Sequence, residues 1–275
     1  MLVHLKKTMS SSNQAQAFIF AAGLGTRLRP MTEKHPKPTI PLFSVPMGYY
    51  ILPYFDQVQI TKYIANTFHL PDQIHQLYIN TNKEFLFSDE KDFIKGSAGG
   101  LKQAENMILP IVPIIVANAD EIFFTKETDF IKNALKQHIE KKSLATLIVM
   151  EHSEAGHKFG GIWCEREKVK HIGKDPTKKN LKPWHYIGLQ VLSPEVLKII
   201  EPNKELNIFY DVLIHQLDHK DVSIYPITAD WYETGNYTDY QLAKTEISKK
   251  ADQAIYKNHF DLLKKYPKSD LSDLA

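Results

Sequence analysis

The sequence predicts an α/β fold, a mostly parallel (mixed) sheet with helices on both faces. Three observations lead there. Strand-like apolar runs alternate with helix-period segments as far as Met150. Several of those runs are apolar at every position, as strands covered on both faces are. A chain of 275 residues, 43% hydrophobic and 24% charged, is long enough for one large domain with a sizeable core.

The elements follow in order. The start carries Lys6-Lys7 and then Ser10-Ser11-Ser12-Asn13 without a secretory apolar run. Residues 1–14 therefore read as a flexible lead, and Met9 offers a second start. Residues 17–21, all apolar, form the first buried strand, and a glycine-rich loop leaves it. A helix is expected over 47–59 and a strand over 63–65. Residues 71–78 suit a helix, with Pro71 in its first turn and Ile74 and Leu77 on one face. Then come a short strand at 85–87, a helix over 99–107, and a buried strand at 113–117 with Asp120 just past its end. A helix over 128–141 and a strand over 143–150 close this half. Strands at 161–165, 169–172 and 186–191 follow without long helices between them, the stretch 173–183 being the most loop-like. Helices near 194–200 and 210–217 precede a last strand at 222–226. Beyond Tyr240 the chain turns polar and helical, so 15–247 reads as the domain and 248–275 as a helical tail.

Charge and cysteine content exclude several classes. Thirty-four Lys plus Arg against 32 Asp plus Glu leave a formal charge of +2, too balanced for nucleic acid or an anionic membrane as the main partner. The single cysteine, Cys164, allows neither an intrachain disulfide nor a cysteine-rich metal site, and fits a reducing cytoplasm. No run approaches the roughly 20 apolar residues of a membrane span.

The most informative segment is Ala21-Ala22-Gly23-Leu24-Gly25-Thr26-Arg27-Leu28-Arg29-Pro30-Met31-Thr32. It leaves a buried strand at the carboxyl end, where open α/β sheets bind ligands. Gly23 and Gly25 let backbone N–H groups approach a phosphate, Thr26 adds a hydroxyl, and Arg27 a planar cation that grips phosphate oxygens. Leu28 stands where a dinucleotide loop needs its third glycine, and the Gly-Lys-Ser/Thr of a Walker loop is missing. The bland alternative, a tight turn with a surface arginine, does not account for the next segment. There Pro36, Pro38 and Pro41 stiffen a stretch that presents Lys37.

Gly23-Leu24-Gly25-Thr26-Arg27-Leu28-Arg29-Pro30-Met31-Thr32, followed by Pro36-Lys37-Pro38 and Pro46-Met47, resembles the opening signature of the nucleoside-diphosphate-sugar pyrophosphorylases, the sugar-1-phosphate nucleotidyltransferases. The resemblance continues in pieces to about Tyr240 and implies a Rossmann-like fold of that family's type. It is nearest to compact members, the uridylyltransferases and guanylyltransferases acting on N-acetylmuramate-, mannose- or heptose-1-phosphate, since no hexapeptide repeats follow.

The resemblance implies roles residue by residue. Residues Ala22 to Thr26 would hold the nucleotide phosphates, while Arg27 and Lys37 would stabilise charge on the α-phosphate and the leaving pyrophosphate. Ser97-Ala98-Gly99-Gly100 is similar to the family's second glycine loop, which packs on base and ribose. Asn118-Ala119-Asp120 looks like its Asn-Gly-Asp element, with Asn118 at the nucleotide and Asp120 on Mg²⁺. Glu233, in Trp231-Tyr232-Glu233-Thr234-Gly235-Asn236, stands where the family has a second metal-binding aspartate, and Asn236 where it has threonine. On the acceptor side, Phe159-Gly160-Gly161, Lys174 and Tyr186-Ile187-Gly188 match sugar-phosphate elements, so Gly161, Lys174 and Gly188 would line that pocket. Gly173 replaces the family's sugar-binding glutamate, for which Asp175 is a substitute. Asn66-Thr67-Phe68-His69-Leu70 resembles an Asn-x-His-His element of several members.

The implied reaction is Mg²⁺-dependent transfer of a nucleotidyl group from an NTP, UTP or GTP, to a sugar-1-phosphate, in the cytoplasm, by a monomer or homodimer. Two alternatives stay open. The departures at Ala119, Gly173, Glu233 and Asn236 suit a nucleotide- or sugar-binding regulator that lost turnover. The weaker match on the sugar side suits a non-sugar acceptor such as phosphocholine.

Overall fold

The computed structural model describes residues 13–174 and 180–271. Its frame is a nine-stranded sheet. In chain order the elements are β1 (Gln14–Phe20), β2 (Gln59–Thr67), α1 (Pro71–Ile79), β3 (Phe85–Asp89), α2 (Gly96–Gln103), β4 (Ile114–Asn118), β5 (Ile122–Thr125), α3 (Phe130–Lys141) and β6 (Ala145–Met150). There follow β7 (Gly161–Glu165), β8 (Lys168–Gly173), β9 (Lys182–Leu192), β10 (Val222–Pro226), β11 (Ala229–Tyr232), α4 (Tyr237–Lys250) and α5 (Ala254–Leu263). The sheet runs β3-β2-β1-β4-β9-β6-β10-β8-β7.

The first four strands in that order are parallel, as the buried apolar runs predict. β9 enters antiparallel beside both β4 and β6, and β7 and β8 add an antiparallel flap that also pairs with β9. Strand alternation sorts the apolar side chains into two cores. Ala15, Ala17, Ile19, Ile115 and Ala117 pack on one face. Phe18, Ile114 and Val116 pack on the other.

Register sets the geometry of the site. Phe20, the last residue of β1, lies opposite Asn66 of β2 and Asn118 of β4. Three parallel strands thus end level, and the segments leaving them share one edge, the position where such sheets take ligands.

Three expectations change in the folded chain. The helix expected over 47–59 is a 3₁₀ turn, Met47–Tyr49, and a single helical turn, Leu52–Phe55. Pro53 has no N–H for a continuous ladder, so the helix restarts there. The helices expected near 194–200 and 210–217 are short turns, Pro194–Lys198, Ile208–Val212 and Leu213–Gln216. The small antiparallel pair of β5 and β11 joins segments too far apart in sequence for local patterning to reveal.

The polar C-terminal stretch forms two helices. Asn236 caps α4 by accepting from the Asp239 N–H at 2.9 Å, a standard side-chain cap. Tyr256, His259 and Leu263 of α5 are buried, and Tyr256 stacks on Phe124 at 4.3 Å between ring centroids. The segment expected as a tail is therefore part of the main core.

Candidate active site

The glycine loop starts where β1 leaves the sheet. The Ala21 N–H donates to Asn66 Oδ1 at 3.0 Å, and the Ala119 N–H donates to the Phe20 carbonyl at 3.1 Å. These bonds tie the three strand exits together. Gly25 has φ 60°, a left-handed conformation that glycine adopts without steric cost. A Cβ there would also lie 2.8 Å from Thr32 Cγ2. Thr32 closes the loop by donating its hydroxyl to the Gly25 carbonyl at 2.8 Å, and the His69 ring holds the Thr32 carbonyl at 2.6 Å. Nothing lies within 4 Å of a Cβ built on Gly23, so that part of the loop faces open space.

Two cations enter from short turns. Arg27 sits on the 3₁₀ turn Thr26–Leu28, anchored by the fully buried Leu28. Its guanidinium lies over Gly235, where an added Cβ would come within 2.7 Å of Nη2. Lys37 opens the turn Lys37–Thr39, held between Pro36 and the buried Pro38. Its ammonium pairs with the Asp120 carboxylate. Burial pushes the Asp120 carboxyl up, but the Lys37 charge and hydrogen bond, with the Arg27 charge, outweigh it and hold the group below the usual range. A cavity of about 230 Å³ opens between these groups, walled by Gly23, Gly25, Arg27, Lys37, Asp120 and Gly235. Thr26 also lines it, whereas Ala22 is buried behind the loop and Leu24 stands outside the wall. Open glycine amides, a guanidinium and an ammonium facing a carboxylate make a site for a polyphosphate.

A family model described as nucleotidyl transferase matches residues 16–250, which spans both the glycine loop and the Trp231–Asn236 segment. The chain belongs to that family. It is 25% identical over 241 residues to the UTP–glucose-1-phosphate uridylyltransferase of Synechocystis sp., covering 82% of this chain and 61% of that enzyme. It is 25% identical over 263 residues to the mannose-1-phosphate guanyltransferase of Debaryomyces hansenii, covering 89% and 69%. The chain thus spans about three fifths of the first of these relatives. Solved structures share the Rossmann-like fold. The inositol-1-phosphate CTP transferase from T. maritima superposes with a TM-score of 0.71 at 17% identity, covering 88% of this chain and 98% of that one. UDP-glucose pyrophosphorylase complexed with UDP-glucose gives 0.67 at 21% identity, covering 86% and 99%.

Other residues of the chain take varied places. The second glycine segment begins α2, and Leu206 lies against it. The Ala98 N–H donates to the Leu206 carbonyl at 2.8 Å, and Ser97 Oγ accepts from the Ile208 N–H at 2.8 Å. A Cβ on Gly99 would run into the Lys204 carbonyl, and one on Gly100 would lie 2.6 Å from both Asn66 Nδ2 and Glu90 Oε1. Close packing of the backbone is what these glycines permit. Ser97, Ala98 and Gly99 do not wall the cavity beside Arg27.

Glu121 is the functional candidate that sequence reasoning passed over. Its carboxylate accepts from Asn118 Nδ2 at 2.8 Å and from Trp231 Nε1 at 2.9 Å. Gly188, at φ 73°, leaves the space that the Glu121 side chain fills. Burial and the Asp120 charge raise its pKa to about 7. The one local signal was an acidic pair at a strand exit. Gly161 begins β7, and Lys174 is exposed just past the end of β8. Asp175 lies outside the described residues.

The donor set fits a hard dication brought with phosphate rather than one held in a protein cage. Such an ion uses one or two carboxylates and takes its other oxygens from phosphate and water. Asp120 lines the cavity, and among the described residues no group of three or more His, Cys, Asp or Glu is placed to hold a metal. The Glu233 carboxylate accepts from the Gly235 N–H at 2.5 Å and lines a neighbouring hollow instead.

Proposed function

We propose that this chain transfers a nucleotidyl group from an NTP, UTP or GTP, to the phosphate of a sugar-1-phosphate, giving a nucleotide sugar and pyrophosphate. The observation that carries this is the cavity itself: two cations and a glycine loop on three level strand exits, facing Asp120. An acceptor phosphate oxygen attacks the α-phosphorus. A new P–O bond forms, the bond to the bridging oxygen of the β-phosphate breaks, and pyrophosphate leaves with the electron pair. The nucleophile is already an anion, so no general base is needed.

The protein supplies position and charge. The amides around Gly23 and Gly25 cradle the phosphates, and Arg27 and Lys37 neutralise charge on the α-phosphate and the departing pyrophosphate. Lys174 is assigned to the acceptor phosphate. Mg²⁺ would be held by Asp120, with Glu233 joining on release of the Gly235 N–H. Bound there, the ion would supply positive charge to the phosphate oxygens. A reducing cytoplasm, where NTPs are at hand, is the compartment this reading implies.

The test is a matrix of NTPs against sugar-1-phosphates, scored by pyrophosphate release. At least one pair should turn over, and Asp120→Asn should cut that rate by about 10²–10³, the usual effect of removing one preorganised electrostatic group. Silence of the whole matrix, or near-normal turnover by the variant, would sink the assignment.

A further inference from the structure

A series of contacts leads from the residue beside Asp120 to the segment that carries Tyr210. Glu121, next to Asp120, fills the space left by Gly188 on β9. Two residues earlier on that strand, the Tyr186 ring packs edge-on against Phe209, with centroids 4.8 Å apart. Tyr210 follows. It is one of the large side chains the fold leaves in solvent, at 51% exposure. Its backbone is nonetheless fixed, because Asn207 Oδ1 accepts the N–H groups of Phe209 and Tyr210 at 2.9 and 3.2 Å.

The ring lies over a surface from which side chains are missing. Tyr210 Oη is 3.1 Å from the place a Cβ would take on Gly160, and Tyr210 Cε1 is 3.8 Å from the corresponding place on Gly173. Gly173 has φ 132°, a conformation hostile to any larger residue, and its carbonyl is pinned by Trp163 Nε1 at 2.8 Å. Gly160 and Gly173 therefore offer no side chain of their own there, and the space above Gly173 is flanked by His171, whose Nε2 is 3.5 Å from the Cβ place, and by Tyr210 from the opposite segment. Tyr210 Oη has no hydrogen-bond partner among the described residues. Lys174 is next along the chain from Gly173, which places an exposed cation at the edge of this patch.

We propose that Tyr210 binds the organic part of a hydroxyl-bearing phosphate monoester, a pyranose or cyclitol phosphate. The ring forms the platform and the phenol oxygen takes a ligand hydroxyl. This rests on the nucleotidyl-transfer reading and adds to it the residue that meets the organic part of the acceptor. A sugar or cyclitol has both an apolar C–H face for the ring and hydroxyls for the phenol. Phosphocholine has no free hydroxyl to offer the phenol oxygen. The carboxylate beside Tyr210 in sequence, Asp211, is turned back onto the Asn207 N–H at 2.6 Å.

The experiment compares wild type, Tyr210→Phe, Tyr210→Ala and Gly160→Ala in steady-state pyrophosphate release. Glucose-1-phosphate, mannose-1-phosphate, myo-inositol-1-phosphate and phosphocholine are the acceptors. Loss of the hydroxyl alone should raise the KM of the preferred acceptor about 3–10-fold, and loss of the ring about 10–100-fold. Gly160→Ala, which displaces the phenol, should fall between. The KM for the NTP and the thermal midpoint should stay at wild-type values, a split that a merely structural role would not produce. Wild-type turnover combined with an unchanged acceptor KM in Tyr210→Ala, or equal rises in both KM values, overturns the proposal and leaves nucleotidyl transfer standing. Preference for phosphocholine also overturns it. A wild type silent with every pair overturns the transfer reading, and the acceptor assignment with it.

Discussion

Gly188→Ala tests the packing beside Asp120. Alanine at φ 73° carries the left-handed penalty of about 1–2 kcal/mol. Its Cβ would also overlap Cγ, Cδ and Oε1 of Glu121, which is held by two hydrogen bonds and has little room to move. Overpacking of that kind adds about 1–3 kcal/mol. At about 2–4 °C per kcal/mol for a chain of this size, the midpoint should drop by about 4–20 °C. The two contributions separate in a double-mutant cycle. Glu121→Ala removes the three atoms nearest the new Cβ, so in that background Gly188→Ala should cost mainly the backbone part, about 1–2 kcal/mol. Chemical denaturation of the four proteins measures the coupling, expected at about 1–3 kcal/mol. Additivity within about 0.5 kcal/mol would refute the reasoning, because it would mean that Glu121 does not occupy the space above Gly188.

Three other outcomes are expected. Lys37→Met removes the ammonium from the cavity, and kcat/KM should fall about 10²–10³ with binding of the acceptor alone unaltered. In the same variant the Asp120 carboxyl loses its main partner, so the acid-side stability that this group contributes, present above its ordinary range and lost as pH falls through its depressed folded value, should disappear from the pH–stability curve. Burial lowers His138, His185 and His259 to about 4, with His152 adding to the effect at His185. The unfolded chain then binds more protons between about 6.5 and 4, so stability should fall through that window as pH drops. Denaturant titrations at pH 7 and pH 5 read the slope, and His138→Gln, which cannot titrate, should reduce it.

The legible parts of the site were those written in local chemistry. Gly25 and its neighbours announce a turn that only glycine makes easily, and Pro36 and Pro38 announce a stiff mount for Lys37. The partner of Lys37 was not legible from spacing, because Asp120 meets it only after β1 has been threaded between β2 and β4. Glu121 was hidden for the same reason: its surroundings come from Gly188 and Trp231 on distant strands. The run from Met47 to Phe55 reads as helix because it is apolar throughout, yet it is buried on every side, where periodicity carries no signal. The C-terminal stretch misleads in the opposite sense. Its overall polarity conceals Tyr256, His259 and Leu263, whose helical spacing puts three buried side chains on one stripe of α5, and the buried Tyr266 just past its end.

Asn66 accepts from the Ala21 N–H and donates to Glu90 Oε1 at 2.7 Å, while Glu90 Oε2 accepts from the Lys95 N–H at 2.6 Å. Two side chains thereby fasten the start of the glycine loop to the residue before α2, all of it out of water. The two loops consequently behave as one stiff bracket. Whatever seats itself in the first finds the second already set at a fixed distance, and neither can yield without straining its companion.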